Sequence, residues 1–342
     1  MPDAPTVPFT VRQKIPGLQA RWWRGSVPGV LGGMLFGFLA WPGLTAAPVT
    51  PLPAGSAGVE FRPPPEILPG AERRIYRKAG EFELPLYVFR PAAKQPTAAL
   101  LFFHGSGWYA GAVSQFAGHA RDLAAQGLCA AVVEYRVKQR YDATPFDGAS
   151  DVRAAIRWFR QHANEWNVDP RRIGVAGGSA GAHLALCAAL VDEPGEKAGG
   201  TPVSSRPDLL VLFAVPTDTT TEGESATPSP WFGGRERELS PVHLLRRELP
   251  PMQIFQGTAD RYVPADQTRR FVDAAVALGD TCDLLLFEGR GHGFYNHPDY
   301  YREYPGLPSA QAPIEYPLCS LLMSRFLRDH GFLEGPTIVP QP

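Results

Sequence analysis

The chain has 342 residues, of which 44% are hydrophobic and 20% charged, so it can bury a sizeable core and most of it is not expected to be disordered. Its 33 Lys and Arg residues nearly balance its 34 Asp and Glu residues, for a formal net charge of -1. Without a broad cationic surface, binding to nucleic acid is not expected. The four cysteines have neither zinc-ribbon nor C-x-x-C spacing, so we expect no metal site and favour buried free thiols over disulfide bonds.

Residues 1–47 have the layout of an export signal. Four basic residues precede a segment, 25–59, that contains no charged residue. Its apolar stretch, 30–40, suits a signal peptide better than the roughly 20 residues of a membrane span, and small residues ending at Ala47 offer a cleavage site. Proline-rich residues 48–70 then predict an extended linker. We therefore expect a secreted or periplasmic protein with no stable membrane span after cleavage; a membrane-anchored protein is the alternative.

From about residue 72, short aliphatic or β-branched segments alternate with amphipathic segments of helical period. Several of the strand-like segments are apolar throughout, as parallel strands buried on both faces are. The pattern predicts one α/β domain over residues 71–335, with a mostly parallel central sheet and helices on both faces. The predicted strands are 82–89, 98–103, 129–135, 172–176, 209–215, 252–256 and 284–287, and the predicted helices are 114–126, 147–165, 180–191, 265–278 and 317–329.

Ser179 is the candidate nucleophile. It is the central residue of a Gly-x-Ser-x-Gly motif that lies between a predicted buried strand and a predicted helix. Glycines at 177 and 181 allow a sharp turn in which larger side chains would collide with neighbouring elements, and the turn presents the hydroxyl above the sheet. A glycine-rich phosphate-binding turn is the alternative, but the Walker lysine is missing.

A serine nucleophile needs a base and an acid that orients the base. His292 follows the last predicted strand and is the preferred base, with His297 as its rival. Asp260 follows the strand before it and is the preferred acid. Asp218 and Asp266 are the alternatives, although Asp266 more plausibly begins the next helix.

An ester carbonyl that is attacked becomes an oxyanion, so donors must be in place to receive it. The sequence His104-Gly105-Ser106-Gly107-Trp108 follows a predicted strand. We expect the backbone amides of Ser106 and Gly107, together with that of Ala180, to form the oxyanion hole. His104 is expected to brace the loop. Trp108 could contact the acyl group or only pack the loop.

These motifs resemble the secreted or periplasmic esterases of the α/β-hydrolase fold, in particular the bacterial acetyl-esterase/lipase group related to bifunctional acetylxylan and feruloyl esterases. The resemblance spans roughly residues 72–333 and includes the nucleophile–acid–histidine order along the chain. It implies Ser179, Asp260 and His292 as the catalytic triad, and an oxyanion hole from Ser106, Gly107 and Ala180. Trp108 and Gly178 are expected to contact substrate, and no cofactor is expected.

The sequence departs from this family pattern at two positions. Ser106 stands where glycine is common, and Gln256 stands where histidine is common before Gly257; we expect Gln256 to brace the acid loop. The aromatic segment 294–317 could rim the active site or be fastened to the core by buried tyrosines. Trp231-Phe232-Gly233-Gly234 could likewise be a cap or a packed loop.

The sequence thus predicts a serine carboxylesterase that works through an acyl-enzyme. The family resemblance alone implies small acyl esters as its substrates, with acetyl groups on carbohydrate as the favoured class. Its expected partner is a small-molecule or polysaccharide ester substrate. A serine peptidase or lipase on the same fold is the enzymatic alternative. A non-catalytic hydrolase-like binding protein is the alternative from another class.

Overall fold

A mixed β-sheet of nine strands crosses the part of the chain that the structure, a computed structural model, describes: residues 9–12, 64–65, 67–192, 203–220, 226–303 and 315–335. Its order is β1-β9-β8-β7-β6-β4-β5-β3-β2. The six strands from β9 to β5 in this order are parallel, and β1, β3 and β2 are antiparallel to their neighbours. The strands are β1 (Phe9–Arg12), β2 (Glu72–Ala79), β3 (Phe82–Phe89), β4 (Thr97–Phe103), β5 (Cys129–Val133), β6 (Val168–Gly178), β7 (Leu210–Phe213), β8 (Met252–Gly257) and β9 (Cys282–Phe287).

Helices cover both faces of this sheet, as the sequence predicts. Strand β4 shows why, because its side chains alternate between two separate cores: Leu101 and Phe103 pack in one, and Leu100 and Phe102 in the other. The first core includes apolar residues of α3, α4 and α6, and the second includes those of α1 and α8. The helices are α1 (Ala117–Ala125), α2 (Lys138–Tyr141), α3 (Pro145–Gln161), α4 (Ala180–Leu190), α5 (Pro241–Leu244), α6 (Ala265–Leu278), α7 (Pro298–Glu303) and α8 (Tyr316–Asp329).

The helix that follows the predicted nucleophile is buried all round. Every residue of α4 is buried, which agrees with its uniformly apolar sequence. Helix α3, in contrast, is amphipathic. The side chains of its N-cap residue, Thr144, and of Asp147 each accept a hydrogen bond from the other's backbone amide. None of the helices among the described residues is both long and apolar enough to cross a membrane.

Most of the predicted export signal and linker lies outside the described residues. Strand β1 is the exception in the signal: it pairs antiparallel with β9 at the edge of the sheet. Cleavage after Ala47 would remove β1 and leave β9 as the edge strand.

The four cysteines, Cys129, Cys187, Cys282 and Cys319, are free and buried. Burial raises the pKa of the Cys129 and Cys187 thiols to about 12, so neither is a reactive thiolate near neutral pH. The expectation of buried free thiols is confirmed.

Candidate active site

Ser179 lies at the sharp turn between β6 and α4. Its backbone has φ of 52° and ψ of -122°, a strained conformation for a residue with a side chain. A Cβ atom on Gly177 would lie 2.7 Å from the backbone of Gly181, and one on Gly181 would overlap the carbonyl of Phe103. The turn therefore requires glycine at both positions, for the steric reason that the sequence suggests.

Asp260 and His292 are joined by a hydrogen bond of 2.8 Å between Oδ2 and Nδ1. The other carboxylate oxygen of Asp260 accepts the backbone amides of Tyr262 and Val263, each at 2.9 Å. The Asp260 side chain is fully buried, whereas that of His292 is 19% exposed. Because Nδ1 donates to the carboxylate, Nε2 is the nitrogen left to accept a proton.

Gln256 holds the acid loop in place. Its amide nitrogen donates to the carbonyl of Val263 at 2.9 Å and lies 3.4 Å from the Asp260 carboxylate. Its oxygen accepts from the Thr268 hydroxyl. Gln256 thus braces the loop at the position where histidine is common in the family that the sequence resembles.

The loop that carries His292 passes beside the nucleophile turn. Tyr295, three residues after His292, fills the space in which a side chain on Gly178 would stand: a Cβ there would lie 2.9 Å from the tyrosine ring and closer still to its hydroxyl. No hydrogen bond joins the Ser179 hydroxyl to His292 in the described part of the chain. The structure thus forms the Asp260–His292 pair, and the full triad with Ser179 stays a prediction. The contact between nucleophile and base is often long in enzymes without bound substrate.

The rival base and the rival acids lie in other surroundings. His297 packs against the ring of Tyr316, with ring centroids 4.6 Å apart, and its Nδ1 accepts the Asp299 amide. Asp218 accepts hydrogen bonds from Thr220 and from the Ser240 hydroxyl, which anchors the segment after β7. Asp266 is exposed on the first turn of α6, where it pairs with Arg269.

The loop after β4 turns toward Ser179 through three consecutive residues with positive φ: Ser106 (92°), Gly107 (63°) and Trp108 (59°). Just before them, a Cβ on Gly105 would lie 3.3 Å from the Cβ of Ser179, so this loop touches the nucleophile turn. The amides of Ser106, Gly107 and Ala180 donate to no other described residue. Their availability agrees with the predicted oxyanion hole, whose role stays a prediction. The positive φ of Ser106 explains why glycine suits this position.

Trp108 packs the loop. Its side chain is 2% exposed, its indole N–H donates to Nδ1 of His183 at 3.2 Å, and its ring meets Phe232 edge-on at 5.1 Å. Next to it, Tyr109 stacks on Trp231 at 5.3 Å. The segment containing Trp231 and Phe232 is thus packed on the loop after β4, residues 104–108, which we call the oxyanion loop after its predicted role. Contact of Trp108 or Gly178 with substrate stays a prediction, since both face buried rings here.

His104 braces the same loop from below. Its ring stacks on Tyr135 at 4.3 Å, and its Nδ1 lies 3.1 Å from the Gly105 carbonyl. Its Nε2 lies 3.7 Å from the Glu134 carboxylate, which also pairs with Arg140. Burial alone would raise the pKa of Glu134, but the contacts with His104 and Arg140 hold it below its usual value.

The aromatic segment after His292 is fastened to the core where it is described. Phe294, Tyr295, Tyr300 and Tyr301 are all less than one-tenth exposed, whereas residues 304–314 lie outside the described part of the chain.

Sequence reasoning missed two polar residues near the site, Gln115 and Asn296, because neither stands in a motif. Among the described residues, no group of three or more His, Cys, Asp or Glu side chains is placed to hold a metal ion.

A family model described as BD-FAE matches residues 86–274, more than half of the chain. The chain belongs to the BD-FAE family. Esterase LipC of Mycobacterium tuberculosis is 28% identical to it over 219 residues, which cover 58% of this chain and 54% of LipC. A probable isoprenylcysteine alpha-carbonyl methylesterase of Arabidopsis thaliana is 25% identical over 221 residues, covering 58% of this chain and 45% of the plant protein. This BD-FAE chain spans about half the length of these curated relatives.

Solved structures cover more of the BD-FAE chain. A thermophilic esterase from Thermogutta terrifontis, esterase 2, is 36% identical with a TM-score of 0.70, and the match covers 80% of this chain and 96% of that one. Its propionate-bound structure is 35% identical with the same TM-score, covering 81% of this chain and all of that one. These similarities confirm the α/β-hydrolase fold and the esterase resemblance that the sequence motifs indicate.

Proposed function

We propose that this BD-FAE protein is a serine carboxylesterase, with Ser179 as nucleophile, His292 as base and Asp260 as the acid that orients it. The observation that carries the proposal is the Asp260–His292 hydrogen bond on the loop beside the strained Ser179 turn. The esterases named among the relatives and solved neighbours support the same activity.

The reaction follows from the chemistry of these groups. Ser179 Oγ attacks the ester carbonyl while its proton passes to Nε2 of His292, and the carbonyl electrons move to the oxygen. The amides of Ser106, Gly107 and Ala180 receive that oxyanion. Collapse of the intermediate expels the alcohol, which takes the proton from His292. Water then repeats the attack on the acyl-enzyme and releases the carboxylic acid and free Ser179.

Small acyl esters are the proposed substrates, with acetyl groups on carbohydrate as the favoured natural class. Propionate is bound in the T. terrifontis structure, which supports a short acyl chain here. A panel of acetyl, butyryl, longer acyl and feruloyl esters, with acetylated xylan included, tests this part. We expect the highest kcat/KM for acyl groups of two to four carbons; a preference for long chains would contradict it.

Two variants test the mechanism. Ser179→Ala should abolish hydrolysis of an aryl acetate and labelling by a fluorophosphonate probe. Asp260→Asn should keep an acceptor for the loop amides but lose the charge that stabilises protonated His292, so kcat should fall by about 10⁴-fold. Ser324→Ala, which changes a buried serine in α8, is the matched control and should leave both readouts unchanged. Near-normal turnover by Ser179→Ala would overturn the assignment.

We also propose that residues 1–47 are an export signal and that the enzyme is secreted or periplasmic. The charge-free segment 25–59 and its preceding basic residues support this. Expression of the full chain in a bacterial host, followed by N-terminal sequencing of the product outside the cytoplasm, tests it. A mature protein that begins near residue 48 is expected; an intact N-terminus in the membrane fraction would favour the anchored alternative.

A further inference from the structure

A buried chain of side-chain hydrogen bonds joins the oxyanion loop to the loop that carries His292. It begins at Gln115, which lies in a 3₁₀ turn, Val113–Phe116, and is 7% exposed. The Gln115 side-chain oxygen accepts the Gly105 amide at 2.7 Å, and its nitrogen donates to Oδ1 of Asn296 at 3.0 Å. The second of these contacts connects residues 181 positions apart in the sequence.

The chain continues from Asn296 to the residue next to the predicted base. Nδ2 of Asn296 donates to the Tyr301 hydroxyl at 3.2 Å, and this hydroxyl donates to the Gly293 carbonyl at 2.7 Å. The backbone amide of Asn296 donates to the same carbonyl at 3.1 Å. Gly293, which directly follows His292, is therefore held by two donors.

The direction of every hydrogen bond in this chain is fixed by its two ends. The Gly105 amide can only donate, so the Gln115 oxygen must accept and its nitrogen must donate onward. The same logic passes through Asn296 and the Tyr301 hydroxyl to the Gly293 carbonyl, which can only accept. No member has a competing orientation within this chain. Since each bond is buried, breaking one leaves a polar group unsatisfied.

Both ends of this hydrogen-bond chain lie next to the proposed reacting groups rather than in a remote part of the fold. Gly105 is in contact with the Ser179 turn, and the amides of Ser106 and Gly107 follow it directly. Gly293 adjoins His292. The hydroxyl of Tyr295, two residues after Gly293, stands beside Gly178, where a Cβ atom would lie closer to it than to any other atom. One glutamine thus contacts both the loop that contains Gly105 and the loop that carries His292.

We propose that Gln115 and Asn296 are positioning residues that set the distance between His292 and the oxyanion donors around Ser179. The inference rests on the proposed esterase function, because it concerns the geometry of that site. Neither residue touches substrate or reacting atoms. Their loss should therefore reduce kcat while KM changes little, since misplacement of reacting groups impairs the chemical step.

The experiment is a double-mutant cycle with Gln115→Ala, Asn296→Ala and the double variant in the full chain. Rates with an aryl acetate are normalised to active sites titrated with a fluorophosphonate. Each single variant should lose about 10- to 100-fold in kcat with KM within about 3-fold. The double variant should be no worse than the more damaged single one, because both changes break the same chain.

Two further variants separate positioning from plain destabilisation. Asn167→Ala is the matched control: it removes an amide that donates to the carbonyls of Ala93 and Gln95, before β4 and β6 begin and therefore at the opposite end of these strands from the site. It should lower Tm without changing kcat per titrated site. Tyr301→Phe deletes one hydroxyl from the chain and keeps the ring, so it remains informative if the alanine variants fail to fold; it should reduce kcat by about 3- to 10-fold.

The possible failures are distinguishable. If wild type neither hydrolyses esters nor reacts with the probe, the proposed function fails. If wild type is active and Ser179→Ala is not, but Gln115→Ala, Asn296→Ala and Tyr301→Phe keep kcat within about 2-fold, only the positioning inference is overturned. Effects of the two alanine changes that multiply in the double variant would overturn it as well.

Discussion

Acid should destabilise this protein through His183, a buried histidine beneath the oxyanion loop. Its Nδ1 accepts the indole N–H of Trp108 at 3.2 Å, and its Nε2 lies 2.7 Å from the Leu239 carbonyl. An indole N–H can only donate and a carbonyl can only accept, so the imidazole must be neutral with its proton on Nε2. A second proton on Nδ1 would face the Trp108 donor.

The cost follows from the pKa of His183, which burial lowers from 6.5 to about 4. Below about pH 6.5, His183 binds a proton in the unfolded chain but not in the folded protein. Stability therefore falls as the pH decreases from about 6.5 to about 4. Each pH unit inside this window lowers the free energy of unfolding by at most about 1.4 kcal/mol. By about pH 5 the loss from this single group should reach about 2 kcal/mol.

Urea unfolding of wild type and His183→Gln at pH 7 and pH 5 measures this cost. Glutamine does not titrate and can still donate to Leu239, but it loses the bond from Trp108, so the variant should be less stable at pH 7 by about 1 kcal/mol. Between pH 7 and pH 5 the difference in unfolding free energy between wild type and His183→Gln should change by about 2 kcal/mol in favour of the variant. His243→Gln, the same substitution at an exposed histidine, is the matched control. If the difference in unfolding free energy between wild type and His183→Gln is the same at both pH values, the reasoning is refuted.

Two further changes have expected effects on folding. Gly178→Ala would push a methyl group into Tyr295, so we expect a loss of about 1–3 kcal/mol in unfolding free energy and slower probe labelling. Asp151→Ala removes a fully buried carboxylate that pairs with Arg77 and Arg136, and should cost about 3 kcal/mol without changing KM. Urea unfolding and steady-state kinetics measure both.

Each of these variants has a control. Adding Tyr295→Phe to Gly178→Ala removes the atom closest to the new methyl group, so part of the lost stability should return; no recovery would show that the tyrosine is not the obstacle. For Asp151, the matched change is Asp142→Ala, a carboxylate whose side chain is 87% exposed and which should lose less than about 1 kcal/mol. Equal losses at the two positions would contradict the role of burial.

The sequence predicts best those elements in which burial imposes a regular pattern of apolar residues. Strand β3 and helix α6 have the predicted limits, 82–89 and 265–278. The sequence does not predict strand β2, because its residues are mostly charged and polar. Among the described strands it pairs only with β3 and lies at the edge of the sheet, where charged side chains are favourable. Helices α2, α5 and α7 have four to six residues, too few to show a helical period.

The sequence predicts strand β6 too short, whereas it predicts β5 and β7 slightly too long. Strand β6 is predicted over 172–176 but runs from Val168 to Gly178, the residue before the predicted nucleophile. Its additional residues include Asp169, Pro170 and Arg171, which obscure an apolar pattern. Pairing with β4 beside it, from Thr97 onward, extends the strand in spite of that composition.

The candidate site divides in the same way between what local sequence specifies and what only the tertiary structure creates. Asp260 and His292 could be selected because each follows a buried strand, and parallel strands bring such positions to one edge of the sheet. Gln115 and Asn296 follow no comparable rule. A glutamine in a helical segment is ordinarily expected at the surface, and its burial here depends on a partner 181 residues away. Residues whose only role is to hold two distant loops together leave no local pattern, so polar groups that start at an obligate donor and end at an obligate acceptor must be sought in the folded chain.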